Sequence, residues 1–321
     1  MQLNRSLIDE AADFLEGKVR RTPVEPSPVL SKQLGVPVYL KLECLQLTGS
    51  FKVRGAFFAL ARHGVEALGV ATCSAGNHGK GLAYAGWRLG VPVTVYVPAS
   101  VEAARCRAME ALGAQVVRSP YPGYDATEAW AREEAARAGL PFLSAFDDPY
   151  VMAGNGGTIA AEVVADVPDV RTFVVPVGGG GLAAGLAYFA KEHRADTRII
   201  ACQLAACPAL LRSLEQGRAV TAMPPVATLA GGLEGGVGRQ TFAVLRDRVD
   251  HVALVEEAAL AEAMVWMLDQ HQYVIEPSAA VTLAACRSGA LPVPEGPVVL
   301  IVSGRNVSLP VLRKVLGTGT G

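Results

Sequence analysis

The chain has 321 residues, a formal net charge of −1 and a hydrophobic content of 51%. This length leaves room for one large domain or two smaller ones. The near-neutral charge gives no reason to expect a nucleic acid or an anionic membrane surface as partner, and the apolar runs are shorter than the roughly 20 residues of a spanning helix. The composition therefore favours a small-molecule ligand.

The predicted elements begin with an amphipathic, partly acidic helix near the N-terminus, which does not resemble a signal peptide, so we expect a cytoplasmic protein. Strand and helix patterns then alternate: VPVYLKLE before FFALARHGVEAL, GVATCS before HGKGLAYAGWRLG, VPVTVYVP before EAARCRAMEALG, AQVVRS before YDATEAWAREEAARAG, and RTFVVPV before a helix starting near Leu182. Such alternation indicates βαβ crossovers and a mostly parallel sheet with helices on both faces. The predicted class is α/β.

The block 65–146 contains several complete βα units and could form a compact lobe by itself. We expect it to be a small domain inserted into a larger one that is built from residues 1–64 and 147–321. Ligands of open α/β sheets bind outside the carboxyl ends of the strands, so the cleft between two such lobes is the expected site.

Lys52 lies in the stretch TGSFKVRGA, residues 48–56, directly before an apolar helical run. A lysine becomes a nucleophile and a base when its ammonium group is desolvated or electrostatically disfavoured. The stretch alone is also compatible with an ordinary salt-bridged surface lysine.

A run of four glycines follows the predicted strand RTFVVPV, at Gly178, Gly179, Gly180 and Gly181, and a helix comes next. Glycines let backbone N–H groups approach an anion, and the helix N-terminus adds unpaired donors. The run lacks both the GxGxxG spacing of dinucleotide folds and the GK[ST] ending of a P-loop. It predicts a phosphate site, with a tight turn as the alternative.

Two further polar loops follow predicted strands. The first is CSAGNHGKG, residues 73–81, in which Ser74, Asn77 and backbone N–H groups could hold a carboxylate and a phenolic oxygen. The stretch alone is also a plausible helix cap. We expect Lys80 to face solvent. In SGRNVS, Ser303 directly follows the apolar run PVVLIV. An amine, a phosphate cradle and a polar cap together describe a site for pyridoxal 5′-phosphate, with Lys52 as its Schiff-base lysine.

These stretches match a known family in order along essentially the whole chain. The sequence resembles the fold-type II pyridoxal-phosphate enzymes, whose fold is that of tryptophan synthase β, and within them the branch of serine/threonine dehydratases (threonine deaminases) and serine racemases. The motifs that carry the resemblance are TGSFKVRGA, SAGNHGKG, VGGGGL, EPSAAVTLAA and SGRN.

The resemblance implies a role for each matching residue. Lys52 would form the internal aldimine and later move protons, and Phe51 would lie against the cofactor ring. Asn77 would bond the ring 3-oxygen, and Ser303 would face the pyridine nitrogen. The phosphate would be bound by Gly178, Gly179, Gly180, Gly181 and Leu182, and the substrate carboxylate would be surrounded by Ser50, Ser74, Ala75, Gly76, Asn77 and His78.

The implied reaction is β-elimination from a 3-hydroxy amino acid, foremost L-threonine or L-serine, to a 2-oxo acid and ammonia. Ala75 stands where racemising relatives carry a second serine, and a methyl group cannot exchange a proton, which disfavours racemisation. Gln203 and Ala209 stand where several relatives bind a cation through acidic residues, so we expect no metal there.

Other departures leave the preferred side chain open. Gly231 replaces an acidic residue of many relatives, and Glu234 follows nearby. Threonine, serine, a hydroxyaspartate and a bulkier 3-hydroxy amino acid all remain candidates. The alternatives to a dehydratase are a racemase-type isomerase, a β-replacement synthase and a ligand-binding protein with a decayed site. The resemblance also implies a homodimer.

Overall fold

The computed structural model describes residues 2–63, 68–74 and 76–317. Its helices are α1 (Arg5–Leu15), α2 (Pro28–Leu34), α3 (Lys52–Arg62), α4 (Asn77–Leu89), α5 (Ala103–Glu110), α6 (Tyr124–Arg137), α7 (Pro149–Met152), α8 (Thr158–Asp166), α9 (Gly181–His193), α10 (Ala209–Gln216), α11 (Arg239–Leu245), α12 (Glu257–His271), α13 (Pro277–Arg287) and α14 (Leu309–Gly317). Its strands are β1 (Val24–Pro26), β2 (Val38–Lys41), β3 (Val70–Cys73), β4 (Val93–Val97), β5 (Gln115–Arg118), β6 (Thr172–Pro176), β7 (Arg198–Leu204), β8 (His251–Val255) and β9 (Val298–Ile301).

The strands form two sheets. The larger has the order β1-β2-β9-β6-β7-β8, in which only β1 is antiparallel to its neighbour, and the smaller has the parallel order β3-β4-β5. The central strands β6 and β9 are buried along their whole length, as strands covered by helices on both faces must be. The predicted α/β class, with mostly parallel sheets, is confirmed.

Each of the three polar loops follows the carboxyl end of a parallel strand. The loop that begins at Ser74 follows β3, the four glycines lie between β6 and α9, and Ser303 comes two residues after β9. Helix α9 begins at Gly181, one residue before the predicted start. Each loop therefore lies at the carboxyl edge of its own sheet, where ligands of this fold class bind.

A buried ionic cluster supports the start of α3. Arg54 bonds both oxygens of Glu43, and it also contacts Glu162, which in turn pairs with Lys41. Burial alone would raise the pKa of Glu43, but the opposing interactions, led by that with Arg54, together hold the pKa below its ordinary value. Because Arg54 lies only two residues after Lys52, the cluster fixes the helical turn that carries the amine.

Two further observations concern the whole described chain. No helix within residues 2–63, 68–74 and 76–317 is long and apolar enough to cross a bilayer. All six cysteines are buried and free, and burial raises the pKa of the Cys44 thiol to about 12. These thiols are therefore packing groups rather than nucleophiles.

Candidate active site

Lys52 is the first residue of α3, and its Nζ donates a hydrogen bond of 2.8 Å to the carbonyl oxygen of Ala145. Burial lowers the pKa of Lys52 to about 8, and the nearby carboxylate of Glu276 opposes that shift. More of this amine is therefore unprotonated near neutral pH than in an ordinary lysine, and a nucleophile or base requires the unprotonated form.

The four glycines form a cradle that side chains would fill. A Cβ atom at Gly178 would lie 2.3 Å from the carbonyl oxygen of Gly232, and one at Gly179 would lie 2.3 Å from Cγ of Phe146. Gly180 has φ +94°, a left-handed conformation that favours glycine, and Gly181 starts α9. The backbone N–H groups of this turn lie at a helix N-terminus, where anions bind.

The loop between β3 and α4 carries the second polar motif. Ser74 Oγ accepts hydrogen bonds from the N–H groups of Gly76 (3.2 Å) and Gly79 (2.9 Å), so this oxygen caps the helix start. His78 is buried, and neither ring nitrogen has a hydrogen-bond partner among the described residues. Burial, reinforced by Lys52, lowers the pKa of His78 to about 3, so its ring is neutral.

Asn77 is held by partners that the sequence analysis did not assign. Its Nδ2 donates to Glu276 Oε1 at 2.7 Å, and its Oδ1 accepts from Asn306 Nδ2 at 2.7 Å. The other oxygen of Glu276 accepts from the backbone N–H of Asn306. Burial raises the pKa of Glu276 to about 7, although the bonds from Asn77 and Asn306 lower it. These contacts fix the orientation of the Asn77 amide.

The expectation that Lys80 faces solvent is wrong. Its side chain is half-buried, and Nζ donates to Asn306 Oδ1 at 3.0 Å. Burial and the charge of Arg305 lower the pKa of Lys80, whereas Glu276 raises it. The physical reason is that the first turn of α4 faces the segment after β9, which lies far away in sequence.

The lysine motif and the segment after β9 are hydrogen-bonded to each other. Phe51 N donates to the Ser303 carbonyl at 3.1 Å, and Ser50 forms an isolated bridge with Gly304. Ser50 Oγ is buried without a hydrogen-bond partner among the described residues. Phe51, its neighbour Lys52 and Ser303 therefore lie close together, and their shared role in one site stays a prediction.

A segment that the sequence analysis missed, residues 144–148, lines the same site. The Ala145 carbonyl accepts from Lys52, the ring of Phe146 covers Gly179, and Asp148 caps α7 through the N–H groups of its first turn. The Asp148-Pro149 pair is an N-cap followed by proline at the first helical position, which is a recognisable helix start. Nothing in the sequence marks the role of Ala145, since every residue carries a carbonyl.

The positions predicted to lack a metal have other roles. Gln203 Oε1 accepts from the N–H groups of Leu210 and Leu211, and Ala209 is the first residue of α10. In the part of the chain that the structure describes, no group of three or more His, Cys, Asp or Glu side chains could hold a metal ion. Ala75 lies outside the described residues.

Glu234 occupies space beside Gly231. Its Oε1 would lie 3.7 Å from a Cβ atom at Gly231, and Asp125 Oδ1 would lie 3.9 Å from one at Gly235. Burial and then the charge of Asp125 raise the pKa of Glu234. Gly232, the residue after Gly231, contacts Gly178. The loop that carries Gly231 and Glu234 therefore borders the glycine cradle.

These groups fit pyridoxal 5′-phosphate. The cradle has no room for side chains but presents donors to a phosphate, the Lys52 amine has a depressed pKa, and Ser50 and His78 bring buried polar atoms that lack protein partners among the described residues. A phosphate, an aldehyde and polar substituents on one ring are the complementary groups.

Comparison with known proteins supports the same cofactor. The sequence pattern of the family described as "Pyridoxal-phosphate dependent enzyme" matches residues 15–304. The chain is 41% identical over 317 residues to an L-threonine ammonia-lyase of Geobacter sulfurreducens, and the match covers 98% of this chain and 78% of that protein. The fold is similar to that of maize serine racemase, with a TM-score of 0.91 at 29% identity over 99% of this chain and 98% of the other. It is also similar to the processed form of threonine deaminase isoform 2 from Solanum lycopersicum, with a TM-score of 0.87 at 31% identity over 100% of this chain and 95% of the other. Matches of this extent mean that the chain belongs to the family of pyridoxal-phosphate dependent enzymes.

Proposed function

We propose that this protein is a pyridoxal-phosphate dependent dehydratase, or ammonia-lyase, that converts L-threonine, L-serine or both to a 2-oxo acid and ammonia. The observation that carries the proposal is the Lys52 amine, held at the start of α3 by the Ala145 carbonyl, in a site that also contains the glycine cradle and the Asn77 network. The L-threonine ammonia-lyase similar to this chain supports the substrate class.

The cofactor would be held by residues of both sheets. Backbone N–H groups of Gly178, Gly179, Gly180, Gly181 and Leu182 would bind its phosphate, and Lys52 would bind its aldehyde carbon. Phe51 would pack against the ring, Asn77 would bond the 3-oxygen, and Ser303 would face the pyridine nitrogen. The close approach between Phe51 N and the Ser303 carbonyl supports a shared site for these groups.

When bound, the cofactor supplies a conjugated ring that withdraws electrons from the Cα–H bond of the amino acid. Lys52 Nζ would take the Cα proton, for which an amine with a pKa near the working pH is suited. Loss of this proton and of the β-hydroxyl amounts to loss of water and leaves an enamine, and its hydrolysis gives the 2-oxo acid and ammonia. When the Lys52 amine is not bonded to the cofactor, the Ala145 carbonyl would hold it in place.

The substrate carboxylate would lie at the start of α4. Backbone donors of Gly76, Asn77 and His78 at a helix N-terminus favour an anion, and the hydroxyl groups of Ser50 and Ser74 can donate to it. The neutral ring of His78 adds a donor without a competing charge.

The side chain of the substrate is proposed to be neutral. The carboxylates of Glu234 and Asp125 lie on the loop beside the cradle and on α6, which would repel the second carboxylate of a hydroxyaspartate.

A racemase-type isomerase is the second candidate, because the fold is similar to that of maize serine racemase. Ala75 disfavours it, since its methyl group has no proton to exchange. The resemblance to the dehydratase branch disfavours a β-replacement synthase, because such synthases usually carry aspartate directly after the lysine, where this chain has Val53.

We also propose the larger organisation implied by the sequence. Residues 1–64 and 147–321 would form the cofactor-binding lobe and residues 65–146 the small one, and the division of strands between two sheets supports this. The protein would act as a homodimer in the cytoplasm. Light scattering of the purified protein tests the dimer, and cell fractionation tests the location.

The test of the function uses purified protein and four amino acids: L-threonine, L-serine, threo-3-hydroxyaspartate and phenylserine. We expect 2-oxo acid release from the first or second, no release from hydroxyaspartate, and loss of both release and visible cofactor absorbance in Lys52→Ala. Chirality of the recovered amino acid is measured in parallel. A shifted absorbance band with D-amino acid but no oxo acid would favour the isomerase.

A further inference from the structure

The peptide unit between Gly179 and Gly180, in the glycine cradle, is held by hydrogen bonds from the start of α11. The carbonyl oxygen of Gly179 lies 2.8 Å from Thr241 Oγ1, whose single proton it shares with the Gly238 carbonyl oxygen at 3.0 Å, and it accepts a hydrogen bond of 3.1 Å from the N–H of Gly238. Thr241 lies in the first turn of α11, and its side chain is buried. These two donors fix the direction of the Gly179 carbonyl.

The direction of this carbonyl determines that of the next N–H. A trans peptide unit is planar, and its C=O and N–H point in opposite directions. Since the Gly179 carbonyl points toward α11, the Gly180 N–H points away from it. Gly180 precedes the first residue of α9, so this N–H has no intrahelical acceptor.

The fixed direction matters because this peptide unit lies between two glycines. Rotating it changes only the ψ angle of Gly179 and the φ angle of Gly180, and glycine populates both signs of φ about equally well. A rotated peptide would present a carbonyl oxygen, rather than an N–H, to a bound phosphate. Sterics alone therefore do not select the orientation that binds an anion.

Asp147 holds Thr241 in turn. Its Oδ1 accepts from the N–H groups of Gln240 (2.8 Å) and Thr241 (3.0 Å), and its Oδ2 accepts from that of Arg239 (3.2 Å). A Cβ atom at Gly238 would lie 2.3 Å from Asp147 Oδ1, so the carboxylate lies directly against this turn. Asp147 follows Phe146, whose ring covers Gly179 on another side.

From these contacts, we propose that Thr241 is a positioning residue for cofactor binding: its hydroxyl holds the Gly179–Gly180 peptide so that the Gly180 N–H faces the cofactor phosphate. Asp147 supports it by fixing the first turn of α11. The inference rests on the proposed placement of the phosphate in the glycine cradle. It assigns no part in the chemical step to either residue.

The experiment compares the affinities of two probes for cofactor-free protein prepared from the holoenzyme. Pyridoxal 5′-phosphate carries the phosphate, and pyridoxal lacks it but still reacts with Lys52. Thr241→Val should weaken binding of pyridoxal 5′-phosphate by about three- to tenfold, the factor that loss of one net hydrogen bond implies, with pyridoxal affinity unchanged. Thr241→Ser keeps the hydroxyl and should restore wild-type affinity.

Thr172→Val is the matched control, because Thr172 is a buried threonine whose Oγ1 has no hydrogen-bond partner among the described residues. It should bind both probes like the wild type. A crystal structure of holo Thr241→Val should have the Gly179–Gly180 peptide rotated or in two orientations. If Thr241→Val does not fold, Thr241→Ala and Thr241→Ser are compared in its place.

Equal weakening of both probes, or no weakening of either, in Thr241→Val would overturn the proposal while leaving the proposed function intact. So would a single, unrotated peptide in the variant crystal together with unchanged affinity. A wild-type protein that bound neither probe would overturn the proposed function as well.

Discussion

Glu276 and Lys52 should give the cofactor-free protein two opposite pH dependences of stability. Folding raises the pKa of Glu276 from 4.5 to about 7, so folding takes up a proton in this range and stability falls as pH rises from 4.5 to 7. Folding lowers the pKa of Lys52 from 10.5 to about 8, so folding releases a proton in that range and stability rises as pH goes from 8 to 10.5.

Each pKa unit corresponds to about 1.4 kcal/mol. The fall in stability that Glu276 causes between pH 4.5 and 7 therefore amounts to about 3 kcal/mol. The rise that Lys52 causes between pH 8 and 10.5 amounts to at most about 3 kcal/mol, because the Lys52 side chain keeps some exposure to solvent. The combined contribution of the two groups to the free energy of unfolding is therefore smallest between pH 7 and 8. Burial is the main cause of both shifts.

The assay is urea unfolding of cofactor-free protein at several pH values, for the wild type, Glu276→Gln and Lys52→Met. Only differences between wild type and variant are compared, since other carboxyl groups titrate in the same range. Glu276→Gln should lack the fall in stability between pH 4.5 and 7 and should show an alkaline rise at least as large as that of the wild type, because Glu276 raises the pKa of Lys52. Lys52→Met should lack the alkaline rise and keep the fall between pH 4.5 and 7. The reasoning would be refuted if the stability of Glu276→Gln fell between pH 4.5 and 7 by as much as that of the wild type.

Three further predictions concern the groups around the site. Gly179→Ala would place its Cβ 2.3 Å from the ring of Phe146, so we expect a loss of about 1–3 kcal/mol in thermal unfolding, which Phe146→Ala in the same chain should relieve. Arg54→Met leaves Glu43 buried without its partner and should cost about 3–5 kcal/mol in urea unfolding, whereas adding Glu43→Gln should recover part of it. Asp148→Ala removes the cap of α7 and should cost about 1 kcal/mol, while Asp148→Asn should cost clearly less; equal losses would contradict the capping role.

The fold class and the three polar loops could be predicted because they depend on local patterns. Alternating strands and helices imply parallel sheets, and parallel sheets direct the loops after their strands to one edge. Gly178 and Ser303 come directly after predicted strands, and Lys52 comes directly before a predicted helix. The topology of the larger sheet alone places Gly178 and Ser303 at one edge.

The partners of Asn77 could not be predicted in the same way. Asn306 and Glu276 are about two hundred residues away in sequence, and their contacts depend on how α4 packs against the segment after β9. The same packing half-buries Lys80, which by its local sequence resembles a surface residue. Pairings between distant segments are tertiary facts that no local pattern encodes.

The contact between Lys52 and the carbonyl of Ala145 has a practical consequence for anyone who studies this protein by substitution. A systematic replacement of side chains by alanine leaves Ala145 unchanged by definition, and most small residues there would keep the same carbonyl. Such a survey would rank the position as tolerant although it holds the reactive amine. Replacing the amide between Ala145 and Phe146 by an ester, which weakens the carbonyl as an acceptor, is the kind of backbone chemistry that would reveal its contribution.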